Sequence, residues 1–63
     1  MTKEQIYIRT SILNQSKPFC LSDILIRING NKSIILNELN KMYKQGLVKH
    51  KLFDGIYAFY IVE

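Results

Sequence analysis

The sequence predicts an α+β domain, mainly helical, with three helices followed by a C-terminal two-stranded β-hairpin. Three observations carry that expectation. Ile35, Leu39 and Met42 fall at helical spacing, whereas the residues flanking Asp54-Gly55 alternate at period two. Turn signals at Ser16-Lys17-Pro18, Asn29-Gly30, Gly46 and Asp54-Gly55 cut the chain into segments of element length. At 63 residues and 48% hydrophobic content the chain can build one core but not two, so residues 1–63 are expected to form a single domain.

The first helix is expected over residues 2–15. Thr2 and Gln5 stand at the S/T-x-x-E/Q spacing of a capping box, in which a hydroxyl and an amide satisfy two orphan backbone donors. Ile6, Ile8, Ile12 and Leu13 wrap around much of this helix instead of forming one stripe. A domain this small covers one side well, so the Ile8/Ile12 side is expected to meet a second copy in a homodimer. Pro18 disfavours helical geometry in Lys17 and ends the element.

Phe19 to Leu21 reads as a short extended link that lays Phe19 into the core. Ser22 is the expected N-cap of the second helix, and Asp23 in its first turn suits the helix dipole. Ile24, Leu25 and Ile28 give it a buried face, and Gly30 is expected to take the left-handed conformation that stops it. Asn31 then caps a third helix running to about Gln45. Its apolar stripe is Ile35, Leu39 and Met42, flanked by Leu36 and Tyr43, while Ser33, Asn37, Asn40, Lys41 and Lys44 cover the opposite side.

The last segment reads as a hairpin, Leu47–Phe53 and Ile56–Val62, closed by the Asp-Gly dipeptide favoured in two-residue type I′ turns. That closure pairs Phe53 with Ile56, Leu52 with Tyr57, His50 with Phe59 and Val48 with Ile61. Val48, His50, Leu52, Tyr57, Phe59 and Ile61 then share one face, and Lys49 and Lys51 stay solvated on the other.

The inventory of reactive groups argues against an enzyme. There is one His, one Cys and no Gly-rich phosphate loop, and Asp23 and Glu38 form no acid/base pair. A single cysteine makes no internal disulfide, and no Cys/His set suits a structural metal, so neither cofactor nor metal is expected. Cys20 reads as a small buried hydrophobe, and His50 as a packed hairpin residue. Tyr57, Phe59 and Tyr60 read as packing groups before base-stacking ones. No run approaches the ~20 apolar residues of a membrane span, and the N-terminus lacks a secretory pattern, so a cytoplasmic location is expected and neither a membrane nor a small-molecule partner is.

Charge points to an anionic partner. The chain carries a formal +4, and it is unevenly spread: across residues 27–51 Arg27, Lys32, Lys41, Lys44, Lys49 and Lys51 stand against Glu38 alone, a net +5. Such a cluster favours phosphate through counterion release.

Two helices joined by a short Gly-containing turn form a helix-turn-helix unit. With Leu39-x-x-Met42-x-x-x-Gly46-Leu47-Val48 leading into a hairpin, and Leu21-Ser22-Asp23-Ile24-Leu25 followed by Ile28 upstream, the chain resembles the winged helix-turn-helix family of DNA-binding domains, of the small prokaryotic or phage regulator type. The resemblance covers nearly the whole chain. It implies that the third helix enters the major groove of double-stranded DNA, with Lys32, Ser33, Asn37, Asn40, Lys41 and Lys44 placed to meet it. Asp54 stands at the wing tip, where many relatives carry Arg or Lys, so Lys49 and Lys51 are expected to supply only backbone contacts. Asn37 and Asn40 suit adenine edges, or serve as ordinary solvated residues. Ile34, off the apolar stripe, suits either a thymine methyl group or a protein surface. The expected function is sequence-specific duplex DNA binding by a small transcriptional regulator. The alternative is a winged-helix interaction module that docks on a transcription or host factor, since fold alone does not decide function.

Overall fold

The computed structural model describes residues 1–62; Glu63, the last residue of the expected domain, lies outside them. The element order is α1 (Lys3–Leu13), α2 (Leu21–Arg27), α3 (Lys32–Lys44), β1 (Val48–Phe53) and β2 (Ile56–Ile61). This is an α+β architecture, mainly helical, consistent with a winged-helix topology.

Local chemistry sets the ends of these elements. The Thr2 backbone N–H donates to Gln5 Oε1 at 2.8 Å and the Gln5 N–H donates to Thr2 Oγ1 at 3.2 Å, the expected capping box of α1. The second helix starts earlier than expected. Cys20, not Ser22, is its N-cap, and the Asp23 carboxylate accepts the Cys20 N–H at 3.0 Å. Asp23 therefore closes the helix start by a hydrogen bond as well as by its charge. Cys20 is half-buried there, short of the full burial expected.

The end of α2 also differs. Ile28 already has extended dihedrals (φ −96°, ψ 120°), so the helix stops at Arg27, and Gly30 does not adopt a positive φ. Turning the chain at Ile28 drives that side chain into the core, which removes the need for a left-handed residue. Beyond the turn, Asn31 caps α3 by accepting the Ser33 N–H at 2.8 Å. Gly46 ends α3 with φ 79°, a conformation costly for any residue with a Cβ.

The hairpin has the expected register, from Val48 opposite Ile61 to Phe53 opposite Ile56, and its turn residues Asp54 (φ 50°) and Gly55 (φ 82°) are both left-handed, as a type I′ turn requires. A short third pairing joins it. Phe19 and Phe59 exchange two backbone hydrogen bonds, at 2.9 and 2.8 Å, and their rings stack at 5.9 Å. The link before α2 is thus anchored to β2.

The core comprises Ile8, Ile12, Phe19, Ile24, Ile28, Ile35, Leu39, Met42 and Val48, with Leu25, Ile34, Phe59 and Ile61 packed around it. This corrects two expectations. Ile8 and Ile12 have no exposed surface, because α1 packs along α3 with that side inward, so they offer no face to a second copy. Fully burying each contributes roughly 1.5–3 kcal/mol, enough to decide which side of a weakly patterned helix turns inward. Ile34 is half-buried against the core and is not a protruding contact residue.

Candidate nucleic-acid interface

The third helix divides into a buried side and an exposed stripe. Ile35, Glu38, Leu39 and Met42 are buried, at the i, i+3, i+4, i+7 spacing of one helical face. Ser33, Leu36, Asn37, Asn40 and Lys44 are all exposed and fall at i, i+3, i+4, i+7 and i+11, so they line one continuous outer row. Lys32 lies in the first turn and Lys41 beside the row, both exposed. Among the described residues, the side chains of Lys32, Ser33, Asn37, Asn40 and Lys44 make no hydrogen bond or ion pair within the protein. An exposed row of amides, a hydroxyl and ammonium groups, backed by fully buried apolar side chains, is a rigid polar surface with free donors and acceptors.

Lys41 is different. Its Nζ stands 3.5 Å from Glu38 Oε1, and Arg9 Nε of α1 stands 3.5 Å from Glu38 Oε2, with the carboxylate fully buried between them. The Arg9 guanidinium also donates to Gln45 Oε1 at 3.0 Å. One lysine assigned to DNA thus shares its charge with an internal carboxylate. Glu38 takes a place on the buried side that its charge did not suggest, and nothing in the spacing pointed to Arg9 as its partner. Arg27, counted in the basic segment, donates to Gln15 Oε1 at 3.1 Å.

The hairpin meets α3 through its His50 face. The Tyr43 hydroxyl and His50 Nε2 lie 2.8 Å apart in a shared hydrogen bond, and the two rings stack at 5.1 Å with an 8° interplanar angle. Tyr57 and Phe59 pack edge-on to the same imidazole, at 5.7 and 6.2 Å. His50 is therefore a packing group at the helix–wing junction. The alternation of a strand puts Lys49 and Lys51 on the other face. Lys49 borders a shallow depression beside Tyr43 and Gly46, whereas the Lys51 ammonium sits 5.9 Å from the Phe53 ring centroid. Only Lys49 of this pair is thus brought near the end of α3.

Between the start of α2, α3 and the hairpin lies an apolar concavity of about 320 Å³, bordered by Leu21, Leu36, Asn40, Tyr43, His50 and Phe59. The wing tip is also apolar, with Leu52, Ile56 and Tyr57 each more than half exposed. Among the described residues no group of three or more His, Cys, Asp or Glu side chains is placed to hold a metal ion, and no helix is long and apolar enough to cross a membrane. No family model matches the chain, and neither a curated protein nor a solved structure matches it significantly.

Proposed function

We propose that this chain binds double-stranded DNA, with α3 in the major groove, and acts as a small cytoplasmic transcriptional regulator without catalytic activity. The observation that carries the reading is the outer row of α3: Ser33, Asn37, Asn40 and Lys44 are exposed and unengaged, on a helix held rigidly by its buried face. A major groove about 12 Å wide admits one such helix, and free amide and ammonium groups are what base edges and phosphates bind. The chain's formal +4 supplies the long-range attraction.

Lys32→Glu and Lys44→Glu test it better than a change at Lys41, which would set a second carboxylate beside buried Glu38. The double variant should fold normally, bind every duplex more weakly, and lose about two from the magnitude of its log–log salt slope. Anisotropy titrations with a 20-base-pair duplex at several salt concentrations read both effects. Unchanged affinity in the double variant would move the binding surface off α3.

A second reading, docking on another protein, is favoured by the wing tip, where Leu52, Ile56 and Tyr57 project into solvent. An apolar cluster of this kind is a common feature of protein contacts. Leu52→Ser with Tyr57→Ser separates the two: it should spare duplex binding while abolishing any protein contact made through the tip.

A further inference from the structure

We infer that the duplex α3 reads is rich in A·T pairs, and that Leu36 discriminates by contact with the thymine C5-methyl group; this rests on the DNA-binding reading above. The outer row offers a restricted chemistry. Its central positions are Ser33, Leu36, Asn37 and Asn40. An asparagine amide presents a donor and an acceptor side by side, which matches N6 and N7 of adenine.

Leu36 is 41% exposed at the edge of this polar row, where the row meets the apolar flank of the helix. It offers no hydrogen bond, and placing it over a polar base edge would leave that edge unsatisfied. The one apolar group on any major-groove edge is the methyl of thymine. The side chain also borders the apolar concavity with Leu21, Tyr43 and Phe59, so its methyl groups meet a base from a surface already depleted of water partners.

The residues that read G·C pairs are missing from these positions. Guanine is read chiefly by Arg or Lys, and cytosine by Asp or Glu. The third helix contains no arginine, its lysines stand in the first and last turns, and its one acidic residue, Glu38, is fully buried. The middle of the row therefore carries the amides that pair bidentately with adenine and an apolar group that fits thymine, and none of the charged side chains that chiefly read guanine or cytosine.

The experiment selects tight sites from random 20-base-pair duplexes, then replaces each thymine of the selected site in turn by uracil, which pairs identically but lacks the methyl group. Selected sites should have an A·T centre. At one position uracil should weaken wild-type binding about fourfold, the effect of one methylene-sized apolar group. Leu36→Ala should bind the thymine and uracil duplexes equally, and its melting temperature should show it folded. Equal binding of thymine and uracil by the wild type, or selection of G·C-centred sites, would overturn the inference while leaving DNA binding intact. Retention of the thymine preference by Leu36→Ala would remove Leu36 from the role. No binding to any duplex at low salt would instead overturn the DNA reading itself.

Discussion

Glu38 is the residue whose environment differs most from what its type suggests. A carboxylate fully enclosed between α1 and α3, with Arg9 and Lys41 each at 3.5 Å, sets a charge into a helix–helix seam built mainly of apolar side chains. Removing one partner of a buried pair costs about 3–5 kcal/mol, but here the cations are partly exposed and solvent screens them, so the loss is smaller. Glu38→Ala, which also opens a cavity, should destabilise the fold by about 2 kcal/mol, and volume-conserving Glu38→Met by less than about 1, both measured by urea denaturation. An equal loss in the two variants would mean that the charge, and not the filled space, holds the helices together. On the opposite side of the same helix, Asn37→Ala should leave stability within ~0.5 kcal/mol of wild type. It should cost ~1–3 kcal/mol of affinity on a preferred duplex and little on random DNA.

At the scale of elements, the hairpin and α3 were the most legible parts of the sequence, and α1 the least. Asp54-Gly55 defines a turn whose two residues both need positive φ, and that requirement alone sets the register of β1 against β2. Gly55→Val should therefore cost more than ~1 kcal/mol, since a β-branched residue is poor at φ 82° although no atom crowds the site. A wild-type melting curve would mean that the turn tolerates strain the geometry forbids. The third helix was legible because its apolar stripe, cap and terminal glycine all agree. Ile6, Ile8, Ile12 and Leu13 of α1 carry no such one-sided pattern, so the choice of Ile8 and Ile12 as the inward side is made by packing against α3. The Phe19–Phe59 pairing was hidden for a related reason, because a single bridge leaves no periodicity to read. The candidate site follows the same division: its row on α3 came from periodicity, while the Glu38–Arg9 and Tyr43–His50 contacts join segments that only the folded chain brings together.

For the whole molecule, charge and shape act together. The basic side chains are not equivalent: Lys41 shares the Glu38 carboxylate with Arg9, Arg27 is engaged by Gln15, and the Lys51 ammonium sits by the Phe53 ring. Lys32 and Lys44 on α3, with Lys49 at its end, are left as the uncompensated group beside the outer row. Each phosphate contact contributes about −0.9 to the log–log dependence of affinity on salt, so these three lysines set a slope of roughly −3. An apolar protein contact through the wing tip has a much flatter dependence. Titration of the purified protein with a 20-base-pair duplex between about 50 and 200 mM salt tests the central claim most directly. Saturable binding whose affinity falls with a slope near −3 is the expected result, whereas no duplex binding at the lowest salt, or a slope near zero, would contradict a DNA-binding α3.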